Sequence, residues 1–391
     1  MKKDFLRRFL YYQLFPLVFQ LNSKKPVKRN LVVFASDDSD ELTDNMKPIY
    51  EEAKKRGLET AVLTRAVLKQ GGLTGQFKRL KFYIEFMKQY AIAGYVFLTD
   101  YFFPIYSCKP REETRVVQLW HACGAFKRFG YSCADKSWGM SADQLESFPI
   151  HNTYTDVFVS SGEIVPKYAQ AFRCDEEIVR PLGVPRTDIY FDCNFVQQKY
   201  QEVRNRFPQI GERKILLYAP TFRGNKKECA YVAEEMNLRL MKAELEGEYA
   251  VLIKLHPVMS GRLSLEGLKG FAFDVTDDLR IEEALCAADI VITDYSSLIF
   301  EYALLKRPMI FFAYDLAEYE TDRSFYYDYE QLVPGPIVKS TRQLVDVVKS
   351  GDGDYLKKTE NFINKYMSSC DGKSTKRICE YLFDNDLTIK N

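Results

Sequence analysis

Two doubly wound α/β domains, each built on a parallel sheet, are the fold that the sequence predicts. Three observations predict it. Short apolar, β-branched runs alternate with helical stretches along most of the chain, the pattern that gives parallel sheets with helices on their faces. The length of 391 residues suits two domains. And the polar residues that could carry chemistry stand just after the apolar runs, where open α/β sheets bind ligands.

Residues 1–30 differ from the rest. They carry eight basic residues (Lys2, Lys3, Arg7, Arg8, Lys24, Lys25, Lys28, Arg29) against one acid, Asp4. Between the basic clusters lies an aromatic run, Phe9 to Phe19, broken by Pro16 and too short to span a bilayer. No small-residue cleavage site follows it. Basic flanks around such a stripe fit a segment lying on an anionic membrane surface. A solvated arm packed on the body is the plainer alternative.

Residues 31–200 then read as a first Rossmann-like domain. Strands are expected at 31–35, 59–63, 94–99, 115–119 and 155–160, with helices at 46–56 and about 76–91. Asp37, Asp38 and Asp40 form an acidic turn after the first strand that could hold a metal, although a solvated loop is the simpler reading. A helix and boundary occupy 190–213. Residues 201–391 form the second Rossmann-like domain, with strands at 214–218, 249–255, 271–274, 289–293 and 309–312. Polar helices at about 341–349, 354–368 and 374–384 close it. The two similar halves are expected to face each other across a central cleft.

Composition narrows the function. The chain is 46% apolar and 28% charged, with net charge +1, which suits a globular protein and gives no nucleic-acid signal. Nine scattered cysteines with no Cys-x-x-Cys pair argue for a reducing compartment and against a zinc site. No Walker, G-x-G-x-x-G or H-E-x-x-H motif is present, so nothing in the sequence requires a cofactor. Whether a divalent cation takes part is left open.

The residues that could carry chemistry cluster at strand exits. Asp289 to Glu301 reads as strand, polar turn and helix, with Ser296 and Ser297 at the helix start, where free N–H groups and two hydroxyls suit a phosphate. Glu301 lies about one turn on, where a carboxylate can accept from a ribose hydroxyl. An ordinary capped helix with a solvated Glu is the alternative for this stretch alone. Trp120-His121-Ala122-Cys123-Gly124 follows another strand, with Lys127 and Arg128 beyond it. Lys254-Leu255-His256-Pro257 follows a third. Only three histidines exist, and two occupy strand exits. A histidine there suits general acid–base work, although a lone one is more often structural. His151, in a loop, is given no role. Tyr218 to Gly224 offers the hydroxyl of Thr221 and the fork of Arg223 for phosphate oxygens, and Gly183 to Asp188 offers Arg186.

These stretches resemble the CDP-glycerol glycerophosphotransferases of teichoic acid synthesis and their ribitol-phosphate relatives. The matching segments are Gln118 to Gly130, Gly183 to Asp188, Tyr218 to Gly224, Lys254 to Pro257, Thr293 to Glu301, Lys306 to Pro308 and Pro334 to Pro336, in the family's order. Gly124 to Lys127 and Tyr314 to Tyr319 look closer to the ribitol type. The resemblance implies a GT-B-like fold, an acceptor-side first domain and a CDP-polyol-binding second one. The partners implied are a CDP-polyol donor and a membrane-bound, lipid-linked acceptor. His121 and His256 would be the catalytic pair, His121 as base and His256 at the diphosphate. Thr221, Arg223, Ser296 and Ser297 would hold the phosphates, and Asp294 and Glu301 would support the nucleotide. The family's large polymerases carry an N-terminal extension absent here, so membrane contact would fall to residues 1–30 and the basic helix near Lys78 to Lys88. Single addition and polymerisation both stay open.

The expected activity is therefore transfer of glycerol phosphate or ribitol phosphate to a hydroxyl of a lipid-linked acceptor, with release of CMP, by a peripheral enzyme on the cytoplasmic membrane face. A GT-B glycosyltransferase using a nucleotide sugar is the rival enzyme, separable by a donor panel. A membrane-associated scaffold is a third class, and it would not need both histidines and the Ser-Ser turn.

Overall fold

Apolar runs that are buried on both faces must pair on both edges, and this chain satisfies that demand twice. The computed structural model describes residues 2–65, 72–136, 139–223, 235–256, 259, 264–322, 324–351 and 353–384. Gly224 and Pro257 of the motifs above lie outside these residues. By contacts the chain forms two units: Met1–Ala122 with Phe129–Asp188 and Ser368–Asn391, and Cys123–Arg128 with Ile189–Met367. The division expected at residue 200 is a single cut, whereas the contact units exchange short segments near 123–128 and 368–391.

The first unit carries strands β1 (Lys28–Ala35), β2 (Glu59–Leu63), β3 (Ala93–Leu98), β4 (Arg115–Gln118), β5 (Asp156–Phe158) and β6 (Val179–Arg180). They form one parallel sheet in the order β2-β1-β3-β4-β5-β6. Val32, Phe34, Tyr95, Phe97 and Val117 pack on one face with Met46, Ile49 and Ala53 of the helix Met46–Lys55, and with Ile378, Cys379, Leu382 and Phe383 from the far end of the chain. Residues 2–22 are helical throughout, with a π-helical turn at Leu10–Leu14. Tyr11, Phe15 and Phe19 are buried at a spacing of four, while Phe5, Leu6, Phe9, Tyr12, Leu17 and Leu21 are exposed. Among the described residues no helix is long and apolar enough to cross a membrane.

The second unit carries β7 (Lys214–Tyr218), β8 (Tyr249–Ile253), β9 (Ala272–Asp274), β10 (Ile290–Thr293), β11 (Met309–Phe312) and β12 (Ile337–Val338). These also form one parallel sheet, in the order β12-β11-β10-β7-β8-β9. Parallel neighbours need crossover connections, and the helices Leu238–Leu245 and Ile281–Ala287 lie on two of them. The strand order reverses between β7 and β10, with β7 to β9 running outward on one side and β10 to β12 on the other, so this is the topological switch point where such sheets open a ligand crevice.

Candidate functional site

In the first unit, register brings a histidine and a carboxylate together. β3 pairs with β4 so that Leu98 faces Gln118. Two residues beyond the one and three beyond the other, Asp100 Oδ2 lies 3.1 Å from His121 Nδ1. The side chains are 35% and 53% exposed, so the pair adds little stability. What it fixes is orientation, leaving the other ring nitrogen as the one available for proton transfer. Burial would raise the Asp100 carboxyl, but the hydrogen bond and charge of His121 outweigh it and hold that carboxyl below the usual range. The backbone N–H of Tyr101 also donates to Asp100, at 2.7 Å.

A rigid bed holds this pair. Trp120 takes a left-handed φ of 56° and stacks on His121 with ring centres 4.4 Å apart. Its N–H donates to Gln118 Oε1 at 2.8 Å, and its carbonyl accepts from Asn45 Nδ2 at 2.8 Å. Asn45 Oδ1 in turn accepts from the backbone N–H of Arg186 at 3.1 Å, so Arg186 joins the turn that carries His121. Behind Trp120, His151 is buried with Nδ1 2.8 Å from the Tyr154 hydroxyl, and burial pushes its pKa down to about 3. It is neutral and structural.

In the second unit the same logic operates across the switch point. Tyr218 of β7 faces Ile292 of β10 and Ile253 of β8. Thr221, Asp294 and His256 follow these positions by two or three residues. Asp294 is buried and fully engaged: Oδ1 accepts from the backbone N–H and hydroxyl of Thr221 at 2.8 and 2.5 Å, and from Tyr295 N–H at 2.6 Å. Oδ2 accepts from Arg223 at 2.8 Å. Arg223 also forks onto Asp315 with contacts of 2.6 and 3.0 Å. Its guanidinium lies over the rings of Tyr295, Tyr314 and Tyr319. Burial opposes its charge, but Asp315 and Asp294 hold it protonated. The fork expected for phosphate oxygens thus grips two carboxylates of the protein, and the Thr221 hydroxyl donates to Asp294.

The remaining residues divide by exposure. Ser296 and Ser297 are half-buried ahead of the helix Leu298–Ala303, whose six residues are all buried. Ser296 Oγ accepts from Leu298 N–H at 3.4 Å, and Ser297 makes no side-chain cap bond. Glu301 is buried within this helix. His256 is exposed, its ring centre 5.1 Å from that of Phe222, the neighbour of Thr221. Lys254 is half-buried with Nζ on the Thr276 carbonyl at 2.5 Å, and burial lowers its pKa. Lys127 bridges to Phe325, with Nζ 5.3 Å from the Tyr319 ring centre. Among the described residues no group of three or more His, Cys, Asp or Glu is placed to hold a metal ion.

Asp100, Asn45 and Asp315 are the residues that sequence reasoning did not single out. For Asp100 a signal existed. Thr99-Asp100-Tyr101 leaves β3 as Thr293-Asp294-Tyr295 leaves β10, and in both the Asp accepts the N–H of its own Tyr.

Comparison with known proteins agrees over nearly the whole chain. A family model described as CDP-Glycerol:Poly(glycerophosphate) glycerophosphotransferase matches residues 17–384. A teichoic acid ribitol-phosphate primase of Bacillus spizizenii is 38% identical over 364 residues, 93% of each chain. The teichoic acid ribitol-phosphate polymerase TarK of Staphylococcus aureus is 36% identical, over 95% of this chain and 72% of its own. Among solved structures, the wall teichoic acid polymerase TagF superposes with a TM-score of 0.78 at 24% identity, covering 95% of this chain and 93% of that one. The fold is therefore GT-B-like.

Proposed function

The chain belongs to the CDP-glycerol:poly(glycerophosphate) glycerophosphotransferase family, and from that premise we propose that it moves ribitol phosphate from CDP-ribitol to a hydroxyl of a lipid-linked acceptor. It is a polyolphosphotransferase of teichoic acid synthesis. Ribitol as the polyol is our reading, supported by the ribitol-phosphate relatives at 38% and 36% identity. The acceptor oxygen attacks the phosphorus that carries the polyol, the bond to the CMP phosphate breaks, and CMP leaves.

The observation that carries the reading is the His121–Asp100 contact at the exit of β3 and β4. His121 takes the proton of the attacking hydroxyl, and Asp100 steadies the imidazolium that forms. His256 serves the diphosphate, stabilising or protonating the leaving phosphate. Ser296 and Ser297 offer donors to its oxygens. Asp294, Arg223 and Thr221 act one step back, by fixing the turn that presents the two serines, and Glu301 supports the same helix from its buried side. Lys127 and Arg186 contribute positive charge. CMP release with purified protein, a lipid-linked acceptor and either CDP-ribitol or CDP-glycerol tests the donor. Release from CDP-ribitol alone is expected; release from CDP-glycerol alone would overturn the choice of polyol.

We further place the enzyme peripherally on the cytoplasmic membrane face. Support comes from the N-terminal helix, where exposed Phe5, Leu6 and Phe9 neighbour Arg7 and Arg8. Co-flotation with vesicles containing anionic lipid should be lost in a Phe5→Asp, Phe9→Asp double variant. Undiminished binding would move the membrane contact elsewhere.

A further inference from the structure

Gln118 ends β4 with its side chain fully buried, between the apolar Val117 and Leu119. A buried amide is costly unless its donors and its acceptor are engaged. Here they are. Oε1 accepts the Trp120 N–H at 2.8 Å, and Nε2 donates to the Asp100 carbonyl at 3.2 Å and to the Tyr154 hydroxyl at 2.9 Å. These partners fix which way the amide points. Turned over, it would set its NH2 against the Trp120 N–H and its oxygen against the Asp100 carbonyl. Tyr154 is itself held, 2.6 Å from the Tyr106 hydroxyl and 2.8 Å from Nδ1 of His151.

Two of these partners belong to the site. The backbone bond from Leu119 N–H to the Leu98 carbonyl, at 2.8 Å, closes the ladder between β3 and β4. Beyond it the Gln118 amide serves as one more rung, built from a side chain. It joins the carbonyl of Asp100, at the exit of β3, to the N–H of Trp120, at the exit of β4. His121 follows Trp120, and Asp100 Oδ2 lies 3.1 Å from its Nδ1. The bond from Gln118 also holds Trp120 at its left-handed φ of 56°, which a bulky residue adopts only where its surroundings impose it. That turn carries His121, whose ring stacks on Trp120 with centres 4.4 Å apart. Both members of the His121–Asp100 pair thus take their backbone position from one amide.

We infer that Gln118 is a positioning residue for the transfer, whose amide sets the spacing of base and carboxylate. This deepens the transfer reading above and rests on His121 as its base. A general base works only over hydrogen-bond distances, and a misplacement of about 1 Å can cost about 10²-fold in rate. A buried Gln that served the fold alone would show its loss as stability. One that serves the pair shows it as rate, and only while the pair is intact.

The test uses the full chain in the CMP-release assay. Gln118→Met keeps the length and removes the amide's hydrogen bonds. Gln118→Glu keeps the shape and an acceptor for Trp120 N–H but lacks the amide N–H groups, and it carries the test if the first variant does not fold. kcat should fall about 10²-fold in the first and about tenfold or more in the second, with the KM for the CDP-polyol within about twofold. Thr114→Val is the control for stability, since buried Thr114 donates to the Ala93 carbonyl at 2.8 Å, at the opposite end of β4. Its kcat should stay within about twofold. Adding Asp100→Asn to Gln118→Met should cost little beyond the larger single loss, because both act on one pair. Nitrogen-15 spectra of the imidazoles, simple in a chain with three histidines, give a readout independent of turnover. Each Gln118 variant should shift the His121 signals as Asp100→Asn does. Losses that multiply in the double variant would overturn the proposal, as would an unchanged kcat, an equal loss in Thr114→Val, or His121 signals that ignore Gln118. His121 signals that follow Gln118 in a protein that releases no CMP from either donor would overturn the transfer reading and leave the placement of Gln118 standing.

Discussion

Asp100 shows what one side chain can decide. Its carboxylate meets His121 Nδ1 at 3.1 Å on a partly exposed surface, where an ion pair contributes little to folding. Its effect should therefore appear in the rate. Asp100→Asn keeps the shape but removes the charge that stabilises a protonated imidazole, so kcat should fall about 10²-fold or more, with the KM for the CDP-polyol nearly unchanged. An unchanged rate would make Asp100 merely a turn residue. His121 was legible because histidine is rare in this chain and this one follows an apolar run. Asp100 was hidden because a lone Asp after a strand is ordinary. Only the repeat of Thr-Asp-Tyr at 99–101 and 293–295 marks it.

At the scale of elements, the loops that leave β7 and β10 are bolted together across the switch point by buried charge. Arg223 and Asp294 have side chains 8% and 3% exposed, and Asp315 completes the fork. Breaking a buried pair from one side leaves the other charge uncompensated, which typically costs about 3–5 kcal/mol. Asp294→Ala should therefore lower the unfolding free energy by about 3 kcal/mol or more in denaturant titration, besides abolishing activity. A variant of near-native stability would show that Asp294 has no part in holding the turn. Sequence reasoning reached these residues through their place after strands but could not see which partners they choose. An Arg that follows a strand satisfies a phosphate or two carboxylates equally well until the loops are in place. The long strands were legible for the opposite reason, since runs such as Ile215 to Leu217 and Val251 to Ile253 have nowhere to go but a buried sheet. β6 and β12, two residues each, carry no periodicity to read.

At the scale of the whole molecule, the end of the chain is part of the first unit's core. Sequence reasoning groups the polar helices after residue 340 with the second domain, whereas by contacts the last of them, Ser374–Cys379, belongs to the first unit. Ile378, Cys379, Leu382 and Phe383 pack against Val32, Phe34, Tyr95 and Phe97. Asp188 accepts the backbone N–H groups of Ser374 and Thr375, both at 2.9 Å, capping a helix 186 residues away in sequence. Gly183 has φ +95°, and a Cβ there would run into Ser374 and the Ser369 carbonyl. The Gly183-to-Asp188 motif thus also anchors the returning chain. Cutting the protein after Met367 should therefore damage a distant sheet. Four side chains of the first sheet's core are lost, each contributing roughly 2 kcal/mol, against a total stability of about 5–15 kcal/mol for a typical domain. Hydrogen exchange on the truncated protein should show protection lost in β1 and β3 and retained in β7 and β10. Retained protection in β1 would mean that the first sheet holds without its C-terminal cover. Uniform loss in both sheets would mean that the two units do not unfold separately.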